Sequence, residues 1–332
     1  MDLLTIQKKF NTQQKCIAYL EKLRWSDKVV SPFSGKTNVT KRKGTIKYHC
    51  NDTNQDFSVL YGTIFQDTRL PLTKWFMLIA LMINAKKGIA SAQLSRDLGI
   101  SYKTAWYCQM RVRCAMVDKE LELEGLLEMD EAFVGGKPRK KYSVHNEVAN
   151  ISRLNVKRGR GTKKTPIVGI AEKKGNVSVK VIEKLTGKNL LAMLKRYSKL
   201  ENSAVITDDF RSYKALDSNV DHITISERDK YAQKGLINVT TLDNFFSRVK
   251  SGIRGNYVVL SKKYLPFYLV EFQYKFNKRN EDKNAFEKLI ISSISDDKCM
   301  IDYKPIGQIK SITTPSKRTI SKKKKLRSAI YK

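Results

Sequence analysis

Acidic residues are scarce in this chain. Thirty-two Asp and Glu stand against 64 Lys and Arg over 332 residues, a formal net charge of +32. That excess repels itself on compaction unless a polyanion neutralises it, which points to nucleic acid, where each neutralised phosphate releases condensed counterions. Cysteine is also sparse. Five are present (Cys16, Cys50, Cys108, Cys114 and Cys299), an odd number with no Cys-x-x-Cys pair, so a disulfide framework is excluded and reduced thiols are expected. Long apolar runs are lacking: the longest, residues 75–83, falls well short of the roughly 20 residues of a membrane span. The opening MDLLTIQKKF has no apolar segment of the secretory kind. A soluble, cytoplasmic protein associated with the nucleoid, with no membrane partner, is therefore expected. Only three histidines occur; His145 and His222 have no partner at useful spacing, and His49 reads as a strand residue.

What is present separates into four regions. Residues 1–65 combine a short helical start with turn-rich sequence and strand-like runs at 45–48 and 57–60. Residues 66–122 read as helical; their first helix carries the apolar run 75–83, which reads as core, and stops near Lys86-Lys87-Gly88. Residues 123–290 alternate strand and helix. Segments 166–171 and 177–182 flank the turn Lys174-Gly175-Asn176 as a hairpin, a helix covers 187–200, a short buried strand covers 204–207, and helices follow at about 241–252 and 261–279. This order predicts a mixed α/β sheet with covering helices. Residues 291–332 form a basic tail: from Tyr303 onward there are ten Lys or Arg and no acid.

Within the helical region, residues 89–106 carry the grammar of a helix-turn-helix. A short helix at about 91–98 would turn Ala92, Leu94 and Leu98 inward. Gly99 would supply the turn, Ile100 would plug the interhelical angle, and Ser101 would cap the next helix. Tyr102, Lys103 and Thr104 would then project from a helix N-terminus toward base edges or phosphates, with Arg111 and Arg113 adding positive charge.

Two acids follow apolar strands. Asp130 ends the strand at 126–129, and Asp208 ends the strand at 204–207. A carboxylate at the tip of a buried strand packs poorly but makes a good ligand for a hard divalent cation. With a third acid, such a pair can hold two ions that bracket a scissile phosphate. Asp243 is the candidate third, at the start of a helix on which Lys250 lies two turns along the same face, placed to contact DNA. Asp209 competes with its neighbour Asp208, and Glu271 competes with Asp243.

Four segments together carry a resemblance. They are Met129-Asp-Glu-Ala-Phe-Val-Gly-Gly-Lys137; Ile206-Thr-Asp-Asp209 with Tyr213; Asp243-Asn-Phe-Phe-Ser-Arg-Val-Lys250 with Gly255-Asn-Tyr257; and Tyr268-Leu-Val-Glu-Phe-Gln-Tyr-Lys-Phe-Asn-Lys-Arg279. In order and spacing over about residues 25–285, the chain resembles the bacterial insertion-sequence transposases with a ribonuclease-H-like DDE core that are related to eukaryotic Merlin elements. The resemblance implies a small ribbon-like module, a helix-turn-helix domain and a ribonuclease-H-like catalytic core. It also implies Mg²⁺ (or Mn²⁺)-dependent hydrolysis at element ends, attack of the freed 3′ hydroxyl on target DNA, and a homodimer on double-stranded DNA.

The chain departs from that family at three places. Where two Cys-x-x-Cys pairs would stand, Ser31-Pro-Phe-Ser34 and Cys50-Asn-Asp-Thr53 occur. One thiolate cannot hold a structural zinc, so the module is expected to fold without one. The family's Asn-x-x-Glu falls on Thr240 and Asp243, a carboxylate one methylene shorter. A histidine expected upstream is replaced near Ser226. Residues 137–165 form a basic insertion beside Asp130, with ten Lys or Arg in residues 137–164 against the single acid Glu147; it reads as a clamp on DNA. The leading reading is a DNA transposase using Asp130, Asp208 and Asp243. Its alternatives are a DNA-binding protein with a decayed core, or a ribonuclease-H-like nuclease that cleaves without strand transfer.

Overall fold

The computed structural model describes residues 2–118, 120–135, 164–225, 240–280 and 285–294. Ser226 and most of both the basic insertion and the basic tail lie outside the described residues. The chain divides into two compact units, residues 1–118 with 270–332, and residues 119–269.

The first unit joins a small sheet to a helical core. Strands β1 (Val39–Lys41), β2 (Lys47–Cys50) and β3 (Gln55–Ser58) pair antiparallel in that order. Their small core is Tyr48, Cys50 and Phe57, with Trp25 and Phe33 packed edge-on against Phe57. Helices α1 (Leu3–Lys9) and α2 (Gln13–Trp25) do not pack with this sheet alone. Ile6, Phe10, Cys16, Ile17 and Leu20 share one apolar core with Leu72, Trp75, Phe76 and Ile79 of α3 (Leu72–Asn84). The run 75–83 is core, as its lack of polar positions requires. The boundary drawn from sequence at residue 65 therefore cuts through a continuous core.

Helices α4 (Ser91–Leu98) and α5 (Tyr102–Ala115) form the helix-turn-helix pair. Gly99 sits at φ +57°, the left-handed conformation that ends a helix and that only glycine adopts without strain. Ser101 Oγ accepts from the Thr104 amide at 3.1 Å and caps α5 as its sequence position requires. Leu94 is buried and Leu98 half-buried, but Ala92 is exposed. Ser91 takes the inward place instead and bonds Gln109.

The late helices also belong here. In α9 (Ala285–Ile294), Phe286, Leu289, Ile290 and Ile294 join the same core. On α8 (Leu265–Asn277), Glu271 is buried against Arg113 of α5, with Arg113 Nε donating to Glu271 Oε2 at 2.8 Å. Burial would push the Glu271 pKa up. The Lys275 ammonium and the Arg113 guanidinium more than reverse this and hold it at about 2. By packing, residues 270–294 go with the N-terminal helices and not with the α/β core that the sequence reading extended to 290.

The second unit is a five-stranded mixed sheet, in the order β6-β5-β4-β7-β8. The strands are β4 (Leu123–Val134), β5 (Thr165–Glu172), β6 (Val177–Val181), β7 (Ser198–Thr207) and β8 (Asp221–Thr224). β4, β5 and β6 run antiparallel as a meander, and β7 and β8 join parallel beyond β4. This is the ribonuclease-H-like arrangement that the resemblance implies. The Lys174-Gly175 turn closes the predicted hairpin. Helix α6 (Gly187–Tyr197) is shorter than predicted because β7 begins at Ser198.

Side chains alternate across β4, so successive residues serve opposite faces of the sheet. Leu127 and Met129 pack with Leu190 and Leu194 of α6. Glu128 faces α7 (Thr240–Gly252), whose Leu242, Phe245, Phe246 and Val249 are buried. Gly169, directly across from Asp130 on β5, makes this approach possible: a Cβ there would lie 2.7 Å from Leu242 and 3.1 Å from Phe246. A five-residue π-helical turn, Ile253–Tyr257, continues α7.

Candidate active site

The site is set by where strand pairing stops. The last β4–β7 pair is Glu128 with Ile206. Two residues further along each parallel strand stand Asp130 and Asp208, side by side where β7 has ended. β4 itself does not end there: it runs on to Val134, held by β5 alone, so Asp130 lies within a strand and not at its tip as read from sequence. The tip that matters is that of β7.

One carboxylate oxygen from each of Asp130, Glu131 and Asp208 lies within 4.8 Å of the others. Alternation assigns Glu131 to the opposite face from Asp130, yet its carboxylate joins the same group at the edge of β4 that β7 no longer covers, with β5 alone on the other side. Tyr213, in the 3-10 turn Arg211–Leu216, donates its hydroxyl to Glu131 Oε2 at 2.8 Å. Burial, with the Glu131 carboxylate beside it, pushes the Tyr213 pKa well above its ordinary range, which keeps this hydroxyl a donor. Asp208 Oδ1 accepts from the Phe210 amide at 3.1 Å, fixing the turn after β7. Thr207 Oγ1 is bonded to His222 Nε2 at 2.7 Å, and His222 Nδ1 to Asp217, so the histidine to which the sequence assigned no role braces the strand end. Asp209 is exposed and outside the group.

Asp243 is not among the three grouped acids. It lines a cavity of about 650 Å³ together with Asp130 and Glu131, and Lys250 lines the same cavity. Glu128 anchors the helix that carries Asp243. Its buried carboxylate accepts from the Thr241 amide at 2.9 Å, the Leu242 amide at 3.2 Å and Thr241 Oγ1 at 3.0 Å, satisfying helix N-terminal donors that otherwise lack partners. Glu271 sits in the other unit, with its oxygens taken by Arg113 and Lys275. Three all-oxygen donors in so small a space fit a hard divalent cation, whose ligands lie at about 2.1 Å for Mg²⁺. Sequence reasoning passed over Glu131; its one signal is adjacency to Asp130, which the alternation rule discounts.

In the first unit, Tyr102 and Lys103 are exposed at the start of α5, and the Thr104 hydroxyl is bonded to that of Ser101. Arg111 and Arg113 are not a DNA-facing surface. Arg113 is fully buried on Glu271, and Arg111 donates to the Gln66 carbonyl at 2.8 Å. In the small sheet, the positions of the missing zinc ligands stay close: Ser34 Oγ lies 3.5 Å from Cys50 Sγ. Burial opposes ionisation of Cys50, but the neighbouring hydroxyls, those of Ser31 and Ser34 among them, outweigh it and bring the thiol pKa down to about 6. One thiol among hydroxyls is not the nitrogen and sulfur donor set of a structural zinc. No helix among the described residues is long and apolar enough to cross a membrane.

Residues 122–277 match the family described as the ISXO2-like transposase domain. A protein of Halobacterium salinarum, described as an uncharacterized protein in transposable element ISH50, is 28% identical over 278 residues, covering 80% of this chain and 91% of its own length. Among solved structures, a pre-cleavage Mos1 transpososome is similar at 13% identity and a TM-score of 0.29, covering 90% of this chain and 97% of that one. A Mos1 paired-end complex is similar at 15% identity and a TM-score of 0.25, covering 65% and 77%. Likeness at that level bears on neither the site nor its chemistry.

Proposed function

We propose, from the match of residues 122–277 to the ISXO2-like transposase domain, that the chain is an insertion-sequence transposase that cuts DNA at element ends and joins the freed ends to target DNA. The observation that carries this reading is the convergence of Asp130, Glu131 and Asp208 where β7 ends, beside a cavity that Asp243 and Lys250 also line. Asp130 and Asp208, with Glu131 or Asp243 beside them, would hold Mg²⁺ or Mn²⁺. A bound divalent ion supplies positive charge to a phosphoryl oxygen and lowers the pKa of water.

In the first step a water oxygen bonds to phosphorus and the 3′ oxygen leaves as a hydroxyl. In the second, that hydroxyl bonds to a target phosphorus and the target's own 3′ oxygen leaves. One phosphodiester replaces another, so no energy-supplying cofactor is needed. The protein's own groups orient the acids: Tyr213 holds Glu131, the Phe210 amide holds Asp208, and Glu128 holds the helix that bears Asp243. Tyr102, Lys103 and Thr104 at the start of α5 are proposed to read the element end as duplex, and the working unit is proposed to be a homodimer, since two ends must be joined. The ribbon-like module is proposed to be zinc-free, and chelation should leave its fold intact.

Strand transfer separates a transposase from a nuclease of the same fold. Element ends supplied already cut, with free 3′ hydroxyls, should join covalently to a supercoiled plasmid in the presence of Mg²⁺. Hydrolysis of uncut ends without any joining of precut ones would favour the nuclease.

A further inference from the structure

Beyond Asp243, helix α7 presents one continuous polar face to the cavity. Asp243, Ser247, Lys250, Ser251 and Arg254 recur at helical spacing, and all line it, as does Gly255. Charge changes along this face. At 1.5 Å of rise per residue, Lys250 stands about 10 Å and Arg254 about 16 Å beyond Asp243. From Asn244 to Val270 the sequence contains no acid. Lys250 and Arg254 are exposed, and among the described residues neither is in an ion pair. Two cations face a cavity whose other end holds the carboxylates.

The backbone here is also unusual. Arg254 and Gly255 lie in the π-helical turn, a form that is rare and is frequent at functional sites where it does occur. Gly255 has no structural need to be glycine: a Cβ built on it meets nothing within 4 Å, and its φ is not in the left-handed region. What the missing Cβ does leave is bare backbone at the cavity wall, where a ligand can approach closely.

We infer that this face is a track for the phosphates of one DNA strand, with Lys250 and Arg254 pairing with successive phosphates flanking the one to be cut. Ser247 and Ser251 donate hydroxyl hydrogen bonds to the same oxygens, and Gly255 lets the sugar-phosphate chain lie against the helix. The inference rests on the reading of the carboxylate group as the cutting site. It adds what that group cannot do, since a cluster of acids repels the strand it must engage. The track supplies compensating charge one to two nucleotides away and fixes the direction in which the strand leaves the acids.

The test is the salt dependence of binding by the full chain to a duplex element end, in EDTA, so that no cleavage is involved. Each phosphate that a variant no longer neutralises should lower the magnitude of the slope of log K against log salt, by about 0.9 for duplex or about 0.7 for a single strand. Lys250→Gln and Arg254→Gln are each expected to show that fall, and together twice it. Lys195→Gln, which removes an exposed charge from α6, should weaken binding less and show no such fall. Gly255→Ala should bind several-fold more weakly at an unchanged melting temperature. Wild-type slopes in both Lys250→Gln and Arg254→Gln would overturn the track, and wild-type affinity in Gly255→Ala would overturn the close approach. A chain that shows these slopes but cleaves nothing sinks the catalytic reading alone. A chain that cleaves with unaltered slopes sinks the track alone.

Discussion

The carboxylate of Glu128, buried in β4, receives the Thr241 amide at 2.9 Å and so fixes the first turn of α7 to the strand that carries Asp130. Two residues of one strand thus do different work: Asp130 faces the cavity, and Glu128 docks the helix from which Asp243 lines it. Replacing Glu128 with Gln swaps one acceptor oxygen for an amide that cannot accept from these donors. Leaving such a buried donor unsatisfied costs about 1–3 kcal/mol, which chemical denaturation should show as a lower midpoint. DNA cleavage is expected to fall further than that drop in stability explains, while binding through α5 persists.

Gly169 makes room for the same helix from the other side. In Gly169→Ala the new Cβ would meet the Leu242 side chain at 2.7 Å and the Phe246 ring at 3.1 Å, so these side chains or α7 itself must shift. Overpacking of this kind costs about 1–3 kcal/mol. Trimming Leu242 to Ala in the same chain should recover part of that cost, measured as non-additive stabilities in a double-mutant cycle.

Tyr213→Phe removes the hydroxyl that orients Glu131 and changes little else, because the ring stays in its apolar setting. Glu131 is half-exposed, so water can replace the missing donor, and stability should drop by no more than about 1 kcal/mol. The expected effect is on metal use: more Mg²⁺ should be needed for half-maximal cleavage. An unchanged Mg²⁺ requirement would place Glu131 outside the metal site.

Glu271 makes the first unit sensitive to acid. Its folded-state pKa of about 2 lies below the ordinary 4.5, because Lys275 and Arg113 outweigh the cost of its burial. A depressed carboxylate pKa contributes stability that is present above the unfolded value and is lost as pH falls through the folded one. Stability should therefore decline between pH 4.5 and about 2, and the decline should be shallower in Glu271→Gln. At neutral pH that variant leaves Arg113 and Lys275 buried without a counter-charge, a destabilisation of about 3–5 kcal/mol.

The order of elements was legible in the sequence because each carries its own period and punctuation. The hairpin around Lys174-Gly175, the Ser101 cap with Gly99, and the apolar strands before Asp130 and Asp208 all depend on neighbours a few residues away. What was not legible depends on distant partners. That Arg113 and Arg111 are structural and not DNA-facing follows from Glu271 and the Gln66 carbonyl, 158 and 45 positions away. That β4 runs past Asp130 follows from β5, which continues beside it after β7 has stopped. Glu131 was missed because alternation assigns it to the other face of β4, and the early end of β7, which leaves that edge of β4 open, depends on pairing that the local sequence does not display. The helix read at 261–279 was assigned to the core, and α9 was not read at all, because sequence order says nothing of which apolar surface a segment returns to.

The most direct measurement is cleavage of a labelled element end by the full chain with Mg²⁺, beside Asp208→Asn, which keeps the shape of the side chain but removes its charge. Release of a 3′-hydroxyl end by the wild type and its absence with Asp208→Asn is the predicted result. No cleavage by the wild type, or equal cleavage by both, would contradict the assignment of these carboxylates to DNA strand chemistry.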